Sequence, residues 1–280
     1  MVRCLWCRNT RVCLFYQSSH TTSQIMEVSM AQFNETTMAQ VFFRNAEKYT
    51  DRPYASYKKD GVWLDITWKS MDTMVRKLAY YLMSIGIEKG DKVGLFSPNR
   101  WEWHLSALAI NSIGAVDVPI YATNSSEESE YILNNSDSKI CLVGTVDHLN
   151  TILRVRSKLP NIKQIIVFDE TAGQDSFVIT LSKALAEGEK SPNAELMKKR
   201  LTEIKPSDLS TIIYTSGTTG NPKGVMLTHN NFVSNVINVF KEMIDRKTGN
   251  DLLTTEDTFL SFLPLSHSLE RTAGFYGALA

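Results

Sequence analysis

A chain of 280 residues, 43% hydrophobic and 21% charged, carries enough apolar material for one large core or two smaller ones. Its 30 basic and 30 acidic residues cancel, so the charge balance gives no reason to expect nucleic acid as a partner, whose binders carry a basic excess or stripe. No apolar run approaches the roughly 18 residues of a membrane-crossing helix, which leaves only lateral contact with a bilayer open.

Residues 1–29 do not read as core. They hold Arg3, Arg8 and Arg11, many Ser and Thr, and no acid before Glu27, a composition that fits an organellar transit segment or a start placed too early, with Met30 as the natural one. This leader is expected to be disordered, and the fold to occupy 30–280. Cys4, Cys7 and Cys13 lie in it and Cys141 in an apolar run, which speaks against a disulfide framework and for a reducing compartment. Cys4 and Cys7 have the spacing of half a zinc site, but no second pair follows.

From Met38 the apolar positions Met38, Val41, Phe42 and Ala46 share one helical face. Tyr54–Lys58 and Val62–Ile66 read as strands joined by a hairpin turn at Asp60-Gly61. Thr67 caps a helix with an apolar stripe of Met71, Met74, Val75, Leu78, Tyr81 and Leu82, closed by Gly86. Strand Lys92–Phe96, helix Arg100–Ile113, strand Val116–Tyr121, a helix opened by the capping box Ser125–Glu128, strand Lys139–Val143, helix Val146–Leu159 and strand Lys163–Phe168 follow in turn. Such alternation implies right-handed crossovers and an α/β fold with largely parallel sheets flanked by helices. Residues 169–206 break the rhythm and read as a surface excursion with short helices.

The next stretch carries chemistry. Leu209–Tyr214, β-branched in Thr211, Ile212 and Ile213, reads as a buried strand and ends in Thr215, Ser216, Gly217, Thr218, Thr219, Gly220, Asn221, Pro222 and Lys223. Glycines let consecutive backbone N–H groups converge on an anion, the hydroxyls add donors or a metal ligand, and the lysine adds a mobile positive charge. The loop suits a polyphosphate. It is not a Walker A loop, because Pro222 stands where the second glycine belongs and Gly224 follows Lys223. Val225–Thr228 reads as a short strand, Asn230–Ile244 as a helix, Asp245–Glu256 as a polar loop, Thr258–Leu263 as a strand and Pro264–Ala280 as the start of a helix that looks cut.

Thr215–Lys223 resembles the phosphate loop of the adenylate-forming superfamily, which includes acyl-CoA synthetases, luciferases and peptide-synthetase adenylation domains. Phe262–Arg271, reading F-L-P-L-S-H-S-L-E-R, resembles the downstream motif of long-chain fatty acid–CoA ligases, with His and Glu at this spacing. The weaker likeness runs from about Met38 to Ala280.

The resemblance implies an incomplete N-terminal AMP-binding domain and a two-step reaction. ATP activates a fatty acid, preferentially long-chain, to an acyl-adenylate with loss of pyrophosphate, and coenzyme A then displaces AMP. It assigns Thr215–Lys223 to the phosphates, with Thr218 near the expected Mg²⁺, and gives catalytic roles to His267, Lys223 and Glu270. His267 would stand at the boundary of acyl pocket and adenylate, with Glu270 and Arg271 pairing or orienting the site; His229, just after the short strand that follows the loop, is the second candidate histidine. Fatty acid, ATP and coenzyme A are the expected partners, and the expected location is cytoplasmic or peripheral to a membrane, or mitochondrial if residues 1–29 are a transit segment. Two rivals stand beside this reading: an adenylating relative acting on another carboxylic acid, and a non-catalytic nucleotide-binding remnant.

Overall fold

The structure is a computed structural model and describes residues 2–3, 35–170, 176–215, 221–242 and 254–280. Apart from Val2–Arg3 (β1), the leader expected over 1–29 lies outside the described residues. After β1 come α1 (Met38–Tyr49), β2 (Pro53–Lys59), β3 (Val62–Thr67), α2 (Trp68–Ser84), β4 (Lys92–Phe96), α3 (Trp101–Ser112), β5 (Val116–Ile120), α4 (Ser126–Asn135) and β6 (Ser138–Val143). The chain continues with α5 (Val146–Leu153), β7 (Gln164–Val167), β8 (Val178–Thr180), α6 (Leu181–Lys190), α7 (Ala194–Glu203), β9 (Leu209–Thr215), β10 (Lys223–Thr228) and α8 (His229–Glu242).

Seven strands form one sheet in the order β10-β9-β5-β4-β6-β7-β8, parallel throughout except β10, which runs antiparallel to β9. The period-2 geometry of a strand sends alternate side chains to opposite faces. Val93 and Leu95 of β4 and Ile140 and Leu142 of β6 therefore join one core, beneath α1, α2, α3 and α6. Phe96, Cys141 and Val143 join the other, beneath α4 and α5. Burial on both faces explains why these strands read as continuous apolar runs. The result is a three-layer α/β architecture with a largely parallel central sheet. β1, β2 and β3 form a small separate antiparallel sheet.

Local signals hold where side-chain chemistry dictates them. Asp60 and Gly61 take φ of 50° and 83°, the two left-handed residues that a type I′ hairpin turn requires. Thr67 Oγ1 accepts from the Ser70 N–H at 3.1 Å. Both bonds of the capping box form: Ser125 Oγ accepts from Glu128 N–H at 3.2 Å, and Glu128 Oε2 accepts from Ser125 N–H at 2.8 Å. Among the described residues no helix is long and apolar enough to cross a membrane.

Three expectations change. The stretch 169–206 is not merely surface: Val178–Thr180 pairs in parallel with β7 as the seventh strand, and α6 buries Leu181 and Ala184 in the core. At Gly188 of α6 a Cβ would stand 1.9 Å from the Lys77 carbonyl oxygen of α2, so only glycine lets the two helices approach this closely. Second, Thr258–Leu263 forms no strand; only Leu260 makes an isolated bridge, and Phe262 is exposed. Third, the closing segment is not a plain α-helix. Helical winding begins at Ser268 and widens to a π-helix over Glu270–Tyr276, before a last turn at Gly277–Leu279. The wider winding brings residues five apart together: Arg271 Nη2 donates to the Tyr276 hydroxyl at 2.9 Å. A smaller change is that the helix from Val146 ends at Leu153 and gives way to a 3₁₀ turn at Arg156–Lys158.

Candidate active site

The two motifs belong to different elements, and the fold ties them together. Thr215 ends β9 and Lys223 begins β10, and the two are cross-strand partners. The Gly/Thr-rich stretch between them is thus a connection whose ends are fixed by an antiparallel pair, and Lys223 is the first residue of a strand. Thr215, Asn221 and Lys223 are exposed, and Pro222 is half-buried. Ser216, Gly217, Thr218, Thr219 and Gly220 lie outside the described residues.

His267 and Glu270 diverge. His267 is exposed, and its Nδ1 accepts from the Leu269 N–H at 3.2 Å. Glu270 turns inward and is 5% exposed, with Oε1 lacking a hydrogen-bond partner among the described residues. Burial raises its pKa, opposed by a hydrogen bond with Ser261. A Cβ on Gly274 would come within 2.5 Å of Glu270 Oε1, so the carboxyl lies directly against that glycine. A buried carboxyl with a raised pKa and one free oxygen is suited to holding a proton.

Arg271 does not pair with Glu270. Its guanidinium forms a bidentate pair with Asp117 of β5: Nη2 donates to Oδ1 at 2.6 Å and Nη1 donates to Oδ2. Neither side chain is exposed to solvent. Nη1 also donates to Thr211 Oγ1 on β9 at 2.9 Å. Asn111 Nδ2 donates to Asp117 Oδ1 at 2.8 Å, and Ser210 Oγ donates to Asn111 Oδ1 at 2.6 Å. The rings of Trp103, Phe232 and Tyr276 lie 5.3, 5.2 and 5.3 Å from the guanidinium carbon. Burial alone would lower the Arg271 pKa, but the Asp117 charge outweighs it and keeps the guanidinium protonated. The His267 motif is thereby bonded to β9, the strand that leads into the Gly/Thr-rich connection.

Strand alternation placed Asp117 there. Val116 and Val118 point into the α4–α5 core, so Asp117 faces the opposite layer, towards Asn111 and Arg271. The sequence carried a signal for it, an acid inside an otherwise apolar strand, which predicts a buried partner. Cys141 is a buried free thiol whose pKa burial pushes up to about 12, which makes it inert. Among the described residues no group of three or more His, Cys, Asp or Glu stands ready to hold a metal.

Two histidines are buried neutral. His104 contacts the Tyr54 hydroxyl through Nδ1 at 3.2 Å and stacks on Phe275 with ring centroids 4.2 Å apart. Burial lowers its pKa from 6.5 to about 3. His229, 2% exposed, is lowered to about 4 by burial against the pull of Asp208 and Asp117. Above pH 6.5 folded and unfolded chains both hold His104 neutral. Below it the unfolded chain takes up a proton that the folded chain refuses until about pH 3, so stability falls as pH falls. From pH 6.5 to 5 this single group removes about 2 kcal/mol. In urea titrations at the two pH values, His104→Gln should show a loss smaller by that amount; an identical loss in the variant and its parent would refute the role.

The family of AMP-binding enzymes matches residues 42–280. The chain belongs to that family. It is 33% identical over 223 residues to the long-chain-fatty-acid–CoA ligase FadD15 of Mycobacterium bovis, across 79% of this chain and 35% of the relative. It is 31% identical to the long-chain-fatty-acid–CoA ligase ACSBG2 of Xenopus laevis, across 87% of this chain and 32% of the relative. Among solved structures it resembles a Mycobacterium tuberculosis fatty acyl CoA synthetase with a TM-score of 0.65 and 23% identity, across 87% of this chain and 43% of that one. That likeness bears on the fold, which is the N-terminal α/β architecture of adenylate-forming enzymes. The chain spans about a third of the length of the curated relatives it matches.

Proposed function

We propose that this chain supplies the phosphate-binding and acyl-facing part of an ATP-dependent long-chain fatty acid–CoA ligase. In the first step a fatty carboxylate oxygen bonds to the α-phosphorus of ATP and the bond to pyrophosphate breaks. In the second, the thiol of coenzyme A attacks the acyl carbon and AMP leaves. Charge gathers on the phosphates in the first step, so its acceleration rests on oriented donors and cations around them. Lys223 and the hydroxyls and backbone of Thr215–Gly220 take that role, and magnesium enters bound to ATP as part of the substrate. Thr218 is the residue assigned to meet it. His267 is assigned to the boundary of acyl pocket and adenylate, and Glu270, buried and bonded to Ser261, to orienting the site.

The observation that carries this reading is the pairing of Thr215 with Lys223 at the ends of a Gly/Thr-rich connection, in a chain whose relatives bear the name long-chain-fatty-acid–CoA ligase. The test is pyrophosphate release from ATP and Mg²⁺ with palmitate, with and without coenzyme A. It is run on this chain and on the full product of its reading frame. Palmitate-dependent release from either supports the reading. Release with an aryl or amino acid but not palmitate points to a relative acting on another acid. Silence from both in folded protein points to a non-catalytic nucleotide binder.

A further inference from the structure

We propose that Asn99 is a positioning residue for adenylate formation, fastening the segment that carries His267 to the C-terminal end of the central parallel strand. The proposal rests on the function proposed above. Asn99 lies in the turn between β4 and α3. β4 sits between β5 and β6 in the sheet: the crossover from β4 leads to β5 on one side, and the next crossover returns from β5 past β4 to β6 on the other. The crevice outside the carboxyl ends of strands at such a reversal is where open α/β sheets build their sites.

Asn99 makes three bonds there. Its Nδ2 donates to Ser261 Oγ at 3.0 Å and to the Leu263 carbonyl at 2.6 Å. Its Oδ1 accepts from the Leu265 N–H at 2.9 Å. The three bonds bracket Pro264, which has no N–H of its own. The bonding pattern selects the residue type: one group must donate twice and accept once within a few ångströms, which a carboxamide does and a carboxylate does not.

The need for such a side chain follows from the absent strand. Residues 258–263 form no extended ladder, so their polar backbone groups must be satisfied from elsewhere. Asn99 supplies that satisfaction to Leu263 and Leu265, and through Ser261 it reaches the carboxyl of Glu270. The far end of the same segment is held by Arg271 on Asp117. His267 stands exposed between two anchors, one on the loop after β4 and one on β5. Released from the Asn99 anchor, the Ser261–His267 stretch is held by the burial of Leu265 and by its distal tie, and the imidazole is less firmly placed. Misplacing a reacting or orienting group by about 1 Å costs about 100-fold in rate.

The experiment compares Asn99→Ala and Asn99→Asp with the parent. In this chain, amide hydrogen exchange at Leu265 reads the anchor directly: Asn99→Ala removes the acceptor and should lose protection, whereas Asn99→Asp keeps an acceptor oxygen and should retain it. In the full reading frame, pyrophosphate release with palmitate should fall about 10- to 100-fold in kcat for Asn99→Ala. The KM for ATP should stay within about twofold, because the phosphate loop lies on a different element. Asn99→Asp should fall between the two. If Asn99→Ala fails to fold by circular dichroism, Ser261→Ala reads the same connection, with an expected severalfold loss in kcat. Unchanged Leu265 protection in Asn99→Ala overturns the anchor. Lost protection with unchanged kcat overturns the positioning role. A parent that makes no adenylate overturns the function itself and the positioning role with it, and that silence is distinct from an active parent with equally active variants.

Discussion

Arg271→Ala is expected to lower folding stability by about 3–5 kcal/mol, read as a fall in the urea midpoint at an unchanged slope. The cause is less the lost attraction than the charge left behind. Asp117 is fully buried, and among the described residues its remaining side-chain donors are the Asn111 amide and the Thr211 hydroxyl. Two neutral donors do not solvate a carboxylate as water does. Arg271→Lys keeps the charge but loses the fork that meets both oxygens, so it should fall between parent and alanine. Arg271→Met combined with Asp117→Asn removes both charges and keeps much of the volume, and it should recover most of the loss. If Arg271→Ala combined with Asp117→Asn is no more stable than Arg271→Ala alone, the cost lies in the cavity among Trp103, Phe232 and Tyr276 and not in the orphaned charge.

How far these features could be read from the sequence depends on whether a local rule governs them. The alternation of apolar strands with amphipathic helices, the Asp60-Gly61 turn and the Ser125–Glu128 box are each set within a few residues, and each appears in the structure. Family membership was legible for a similar reason, since Thr215–Lys223 and Phe262–Arg271 are contiguous. Val178–Thr180 was missed because three residues carry too little pattern to announce a strand, and its place is fixed by β7 alongside it. The apolar run at 258–263 has strand composition but makes no ladder, and its backbone bonds to Asn99 instead. Nothing local marks Asn99 for that task, because its partners are more than 160 residues away. Asp117 could have been suspected as an acid in a buried strand, but Arg271 as its partner is a matter of which layers face each other.

Lys223→Ala in the full reading frame is expected to slow adenylate formation by about 10²–10³-fold, the cost of removing one preorganised charge-stabilising group at a centre of developing negative charge. Folding should be almost untouched. Lys223 is exposed at the start of β10, and an exposed substitution of this kind changes stability by about 0.5 kcal/mol or less. The separation of the two readouts matters, because Arg271→Ala should lose activity by losing structure, whereas Lys223→Ala should lose it within a folded protein. Lys223→Arg keeps a positive charge on a longer, planar group and should recover part of the rate. Thr218→Ala removes a hydroxyl and no charge, so its loss should be smaller and should vary with magnesium concentration if that hydroxyl meets the metal. Measured by pyrophosphate exchange beside urea midpoints, unchanged adenylation in both alanine variants would remove the phosphate-binding role from the Thr215–Lys223 connection. A rate loss that tracks a midpoint loss would assign these residues to holding the β9–β10 hairpin together and not to the chemistry.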